Sequence, residues 1–300
     1  MSIDIVIRQK GLFKKALPLS VILGDSLACG VYEAGFRLNP GEWRSEDGEI
    51  LVYDPHHKGR GFSVIWTPTQ KKGVTLRALH PTSTYELKAF YATVARITDY
   101  WSCSLEVDGN PMTPAEFQAG FSDMLEANDR YLDLFIRESM DKEPYESMTL
   151  FSAFWPLEFG AKEAAEVKDA PEGAPARFAR WLHEMQSVDT YYAVAGYAEE
   201  EDGIVSRFAF TEDCDSLFPV KPSVPFGITG ADGKPLEVSR YEVAIVATST
   251  PSVSMIGTIP YEAFMAALSP DKVSYYDAKR VRIAPHSLSE LKELIAKAGV

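Results

Sequence analysis

Residues 1–80 consist of short segments rich in β-branched and aromatic residues, with brief runs of turn-forming residues between them. The segments read IDIVIR, LSVILG, VYEAGFRL, EILVYD, GFSVIW and VTLRAL. Each is typical of a β-strand, and connections this short join neighbouring strands that run in opposite directions. The region therefore predicts an antiparallel sheet, and it excludes a doubly wound fold, in which a helix would follow each strand.

Two long helices are predicted after this region. Ser83 is followed three residues later by Glu86, which is the spacing of a capping box, and apolar residues then recur at helical spacing. Thr113 begins a second helix, with proline at its first helical position. A third helix over 175–187 precedes a return to strands. The predicted fold class is α+β, with mainly antiparallel sheets and segregated helices.

The segment APEGAP at 170–175 has the only linker-like composition in the chain. It joins either two subdomains or merely two helices. In the first case the chain divides into a β-rich region with two long helices at 1–170, and a helix with a mixed β/α region at 175–300. In the second case the 300 residues form one continuous domain.

The net charge of −13 is concentrated in the middle of the chain. Residues 81–220 carry 10 Lys/Arg against 27 Asp/Glu, whereas residues 1–80 carry 11 against 8. Such a field repels phosphate groups, so we expect neither nucleic acid nor an anionic membrane as the main partner. A basic protein remains a candidate partner, bound by Asp123, Glu126 and Asp133 on the second helix. The charge pattern by itself favours the other interpretation, a solvated helix face that keeps the protein soluble.

The N-terminal residues superficially resemble a lipoprotein signal, because basic residues precede the apolar stretch ALPLSVILG and Cys29. Pro18 and Asp25 interrupt that stretch, and no segment approaches the ~18 uninterrupted apolar residues of a membrane span. Three cysteines without a pairing framework fit a reducing compartment. We therefore expect a cytoplasmic protein.

The tetrapeptide GDSL at 24–27 follows an apolar segment that we predict to be a strand. It resembles the first block of GDSL-type (SGNH) hydrolases, which implies Ser26 as nucleophile, an asparagine in a G-x-N-D block and a histidine in a D-x-x-H block. The nearest matches are Asn128 and His286, but Glu126 stands in place of the glycine and Ile283 in place of the aspartate. We interpret the tetrapeptide as coincidental and keep a serine esterase using Ser26, Asn128 and His286 as the alternative function.

The sequence HKGRG at 57–61 could arrange backbone N–H groups and two cations around an anion, but its glycines match no phosphate-binding motif and we favour a hairpin tip as their explanation. The pair His56-His57 lacks a third ligand at metal-site spacing. We expect no metal and no cofactor.

Four stretches resemble a family of bacterial proteins of unknown function, chiefly from Gram-positive species, whose members have about this length. They are GRGFSVIW (59–66), VTLRALHPTSTYELKAFYATVARI (74–97), YEVAIVATS (241–249) and IPYEAFMAALSPDKVSYYDAKRVRI (259–283). The resemblance implies a cytosolic protein with an α+β fold and supplies no activity, cofactor or catalytic set. It weighs against the hydrolase, and we favour a non-enzymatic binding protein.

Overall fold

The computed structural model describes residues 1–33, 36–41, 48–69, 71–143, 146–225, 228–230, 233–249 and 252–298. The chain forms two compact units, which we call unit 1 (Met1–Val188) and unit 2 (Asp189–Val300). Both contain helices and mostly antiparallel sheets, which confirms the predicted α+β class.

Unit 1 is built on an eight-stranded sheet in which every neighbouring pair is antiparallel, in the order β3-β2-β4-β5-β6-β1-β7-β8. Its strands are β1 (Ser2–Gln9), β2 (Ala28–Tyr32), β3 (Leu38–Pro40), β4 (Glu49–Tyr53), β5 (Phe62–Ile65), β6 (Gly73–Leu79), β7 (Cys103–Val107) and β8 (Asn110–Met112). Side chains alternate along β1, so that Ile3, Ile5 and Ile7 are buried in the core. Residues 34 and 35 of the predicted VYEAGFRL strand lie outside the described residues.

Six helices and a small hairpin complete the described part of unit 1. They are α1 (Leu19–Leu23), α2 (Thr84–Tyr100), α3 (Pro114–Ala119), α4 (Phe121–Met140), α5 (Ala161–Lys168) and α6 (Ala174–Met185), with the paired strands β9 (Met148–Leu150) and β10 (Leu157–Phe159). Helix α2 buries Phe90, Val94 and Ile97 in the same core as β1. Phe159 packs against Phe135 of α4 and against two aromatic rings of α6.

The segment LSVILG was predicted to be a strand, and this was wrong, because Leu19–Leu23 forms α1. A short apolar run fits a strand or a buried helical turn equally well. The helix is stabilised over a strand by tertiary hydrogen bonds to the backbone carbonyls at its C-terminal end. Arg96 of α2 donates hydrogen bonds to the carbonyls of Val21 (3.0 Å) and Ile22 (2.7 Å).

The helix predicted from Thr113 is interrupted at Gly120, which separates α3 from α4. The predicted cap is confirmed, since Thr113 and Glu116 form a reciprocal capping box. The segment at 170–175 connects α5 to α6 within unit 1, and the division between the two units falls after Val188.

Unit 2 contains two four-stranded sheets, in the orders β11-β14-β18-β17 and β12-β13-β15-β16. The pairs β11–β14 and β13–β15 are parallel, and the other pairs are antiparallel. The core includes Phe208, Phe210, Phe218 and Phe264. The elements are β11 (Tyr191–Tyr192), β12 (Gly196–Glu200), β13 (Gly203–Thr211), β14 (Ser216–Pro219), β15 (Arg240–Ala247), β16 (Ser254–Pro260), α7 (Tyr261–Ala267), a 3-10 turn (Pro270–Lys272), β17 (Val273–Asp277), β18 (Arg280–Ile283) and α8 (Leu288–Lys297).

Candidate functional site

The three predicted binding residues, Asp123, Glu126 and Asp133, are all exposed on α4. The opposite side of the helix is buried through Leu132, Phe135 and Ile136. Helical spacing therefore places the carboxylates together on the solvent-facing side, which we call the acidic face of α4.

Two arginines share the acidic face without neutralising it. Arg130 lies 3.9 Å from the Glu126 carboxylate, and both side chains are 70% exposed, so this contact is weak. Arg137 donates a hydrogen bond to the backbone carbonyl of Asp133. Among the described residues, neither Asp123 nor the Asp133 carboxylate has an ion-pair partner.

The carboxyl group of Asp129, also on α4, has a raised pKa for two reasons. Partial burial raises the pKa of its carboxyl, and the negative charge of Asp133 raises that pKa further. Because the charge of Asp133 opposes the ionisation of Asp129, a cation bound beside these carboxylates would stabilise their ionised forms.

Several acidic side chains elsewhere in the chain are paired with arginines. On α6, Arg177 contacts Glu166 and Glu184, and Arg180 contacts Glu172. In unit 2, Arg207 and Arg240 each contact both members of a glutamate pair, Glu200 and Glu242. The acidic face of α4 differs from these surfaces because its charges lack such internal partners.

The residues of the alternative hydrolase hypothesis lie in separate environments. Ser26 is exposed in the turn after α1, and its hydroxyl makes no hydrogen bond within the described part of the chain. Asn128 is buried on α4, where its Oδ1 accepts hydrogen bonds from the Thr82 N–H (2.9 Å) and His80 Nδ1 (3.0 Å). Its Nδ2 donates to the Thr82 carbonyl (3.0 Å). The carboxamide of Asn128 thus holds the segment before α2 in place.

His286 belongs to unit 2 and is buried beside the ring of Phe210. Its Nδ1 lies 2.8 Å from the carbonyl oxygen of Ala284, so a backbone carbonyl occupies the position that an orienting carboxylate has in a catalytic triad. The imidazole borders a shallow cavity in which Lys272 pairs with Glu290 at 2.9 Å.

The HKGRG segment does bind an anion, and that anion is the protein's own Glu86 carboxylate. The backbone N–H of Arg60 donates to Glu86 Oε2 at 2.8 Å, and the Thr82 hydroxyl donates to the same oxygen. At Gly59 an added Cβ would lie 2.4 Å from Oε2, so a larger residue there would displace the Glu86 carboxylate. The Arg60 guanidinium donates instead to the carbonyls of Phe151 and Pro81.

Burial is the main cause of the pKa shifts of both Glu86 and Arg60 in this buried network. It raises the pKa of Glu86, against the effect of the hydrogen bonds from Thr82 and Arg60, and it lowers the pKa of Arg60 to about 10. The capping-box spacing of Ser83 and Glu86 predicts only a role for Glu86 at the helix cap. The Ser83 hydroxyl does accept from the Glu86 N–H (3.1 Å), but the carboxylate turns to a loop 26 residues earlier in the chain.

A comparison with protein families matches residues 2–294 to a domain of unknown function, DUF4299. The chain belongs to the DUF4299 family. This confirms the resemblance to a family of unknown function, and the match extends over both units. Neither the curated proteins nor the solved structures contain a match to this DUF4299 chain.

Three further observations describe the DUF4299 protein's chemistry. Cys29, Cys103 and Cys214 are all free thiols. Within the described residues no group of three or more His, Cys, Asp or Glu side chains is placed to hold a metal ion. None of the described helices combines the length and apolar character needed to cross a membrane.

Proposed function

We propose that this protein is a non-enzymatic binding protein and that the acidic face of α4 contacts a basic segment of a partner protein. The proposal rests on one observation: Asp123, Glu126 and Asp133 lie exposed on the same helix side without strong internal partners. Charges left in this state are available for pairing across an interface.

The same helix offers apolar contact area beside the carboxylates. Leu134 and Met140 are 43% and 39% exposed on α4. A partner that combines lysines or arginines with an apolar side chain would match both features, since interfaces join an apolar centre to a polar rim. We further propose that this encounter takes place in the bacterial cytosol, where the three free thiols would stay reduced.

The proposal is tested with a labelled lysine-rich peptide and fluorescence anisotropy at several salt concentrations. The variant Asp123→Asn/Glu126→Gln/Asp133→Asn should bind about tenfold more weakly than the unmodified protein, because three exposed charge contacts are lost. Binding by the unmodified protein should weaken as salt is added, since exposed charges are screened beyond ~8 Å at physiological ionic strength.

The matched control is Glu199→Gln/Glu201→Gln/Asp202→Asn, which changes the net charge by the same amount at exposed residues of the β12–β13 hairpin in unit 2. It should leave binding nearly unchanged. If both triple variants weaken binding equally, the peptide senses only net charge, and the acidic face of α4 is not a binding site.

A further inference from the structure

The loop between β1 and α1 carries two apolar side chains that are almost completely exposed. Leu12 is 97% and Phe13 98% exposed, more than any other large apolar side chain in the described residues. A protein gains nothing within its own fold from such a pair, because apolar surface in water is unfavourable. Residues 10–15, KGLFKK, form what we call the LF loop.

The base of the LF loop is fixed by hydrogen bonds. The Gln9 carboxamide donates to the carbonyls of Lys15 (2.8 Å) and Lys71 (3.1 Å), and it accepts from the Lys15 N–H (2.8 Å). The Trp101 indole donates to the same Lys15 carbonyl at 3.1 Å. Gly11 has a φ of 89°, which turns the chain at the tip. The apolar pair therefore projects from a supported base.

Lysines flank the apolar pair within the loop and in the turn beside its base. Five exposed lysines belong to the LF loop and to the adjoining turn before β6, and they are Lys10, Lys14, Lys15, Lys71 and Lys72. The Lys15 ammonium lies 3.6 Å from the centroid of the Tyr100 ring. The turn adjoins the loop because Gln9 binds the carbonyls of both Lys71 and Lys72. Arg8 is neutralised by Glu106, and Asp99 is the exposed acid near the end of α2. Cations outnumber anions here although the whole chain is acidic.

We propose that the LF loop docks this protein onto an anionic lipid bilayer. Leu12 and Phe13 enter the boundary between headgroups and acyl chains, and the five lysines contact headgroup phosphates. A bilayer is the fitting occupant because it accepts projecting apolar side chains without a preformed pocket, whereas a protein partner must supply a cavity for each.

The overall charge opposes nonspecific adhesion to such a surface but not this local contact. Exposed charges farther than ~8 Å are largely screened at physiological ionic strength, so the lysines at the membrane dominate over distant carboxylates. The docking surface is independent of the acidic face of α4, and each proposal survives failure of the other.

The test is co-sedimentation of the full chain with vesicles of phosphatidylcholine and phosphatidylglycerol in equal parts, and with vesicles of phosphatidylcholine alone. The protein should bind the anionic vesicles only. Leu12→Ser/Phe13→Ser and Lys71→Gln/Lys72→Gln should each reduce binding about tenfold or more. The matched controls Val253→Ser/Met255→Ser, at side chains 71% and 61% exposed, and Lys88→Gln/Lys168→Gln should bind like the unmodified chain.

Insertion is measured separately with Phe13→Trp and lipids brominated in the acyl chain. Phe13→Trp is made together with Trp43→Phe, which leaves Trp66, Trp101, Trp155 and Trp181 as the native tryptophans, all of them buried. Bromine should quench this variant more than the Trp43→Phe protein. Failure to bind anionic vesicles overturns the proposal, as does binding that survives the serine substitutions. If Leu12→Ser/Phe13→Ser instead changes only the oligomeric state in sedimentation, the pair covers a second copy of the chain and the bilayer proposal is wrong.

Discussion

Glu86 in unit 1 and Glu212 in unit 2 each bind backbone N–H groups of a neighbouring loop, yet their acidities shift in opposite directions. Burial raises the pKa of Glu86. The pKa of Glu212 falls to about 2, because the Ser249 hydroxyl and the N–H groups of Ser249 and Thr248 donate to its carboxylate at 2.6 to 2.9 Å.

The difference shows that hydrogen bonds stabilise a carboxylate only when they outweigh its loss of water. Around Glu86 the donors include the N–H of Arg60 and the hydroxyl of Thr82, and its Oε1 is buried without a hydrogen-bond partner among the described residues. Glu212 has donors on both oxygens. The Glu86 carboxylate is thus less stable when ionised in the fold than in water, whereas the ionised Glu212 carboxylate is stabilised by the loop that it binds.

The largest expected effect is at Glu86. Glu86→Ala should lower the free energy of unfolding of unit 1 by about 3 kcal/mol, because the buried Arg60 loses the charge that opposes its own burial. Urea unfolding followed by tryptophan fluorescence reports on unit 1, since every tryptophan precedes residue 189.

The control for this experiment is Glu126→Ala on the exposed face of α4, which should cost less than about 0.5 kcal/mol. A similar cost for the two substitutions would mean that the enclosed network does not stabilise unit 1.

At Glu212 we expect a dependence on pH. Its folded-state pKa lies below the ordinary value of 4.5, so its stabilising contribution is present above that value and is lost as the pH falls through about 2. Glu212→Gln should remove this part of the acid sensitivity and destabilise unit 2 at neutral pH. Hydrogen exchange of β13 and β15 at a series of pH values measures the effect.

The pH dependence of stability due to Glu86 should have the opposite sign. Its pKa is raised in the folded state, so proton binding favours the folded state as the pH falls. Tryptophan-detected unfolding of Glu86→Gln should therefore differ from the unmodified protein less at low pH than at neutral pH. A parallel decline of both glutamates' contributions on acidification would contradict the distinction between them.

The smallest effect is expected at Ser26, which lies outside either kind of network. Ser26→Ala should leave the stability of unit 1 unchanged, and a fluorophosphonate probe should label neither protein, because an unassisted serine hydroxyl is a poor nucleophile. Labelling that disappears in Ser26→Ala would instead establish the esterase alternative and refute the non-enzymatic proposal.

Local sequence patterns predicted much of the fold. The Ser83 cap and the apolar spacing predicted α2, Thr113 predicted α3, and alternating residues predicted β1. In each case the determining contacts lie within one turn of helix or one strand. Exposure of Asp123, Glu126 and Asp133 was predictable for the same reason, since helical periodicity separates them from the apolar stripe.

The features that the sequence did not predict depend on residues far apart in the chain. Helix α1 is stabilised by Arg96, more than 70 residues later in the chain. The Glu86 carboxylate, which follows β6 in the chain, binds a loop that precedes β5. The local sequence of α1 is equally typical of a strand, and the local sequence around Glu86 is that of an ordinary helix cap. The basic cluster around the LF loop could not be predicted from the sequence either, because only the fold brings Lys71 and Lys72 beside residues 10–15.

The interior position of β1 constrains the order in which unit 1 assembles during translation. Residues 2–8 pair with residues 73–79, and residues 5–9 pair with residues 103–107. Because β1 is made before both of its partners, it has no strand to pair with until some seventy further residues have been made, and its other edge stays open longer. Through that interval Ile3, Ile5 and Ile7 form an unpaired apolar edge of the kind to which other nascent chains adhere.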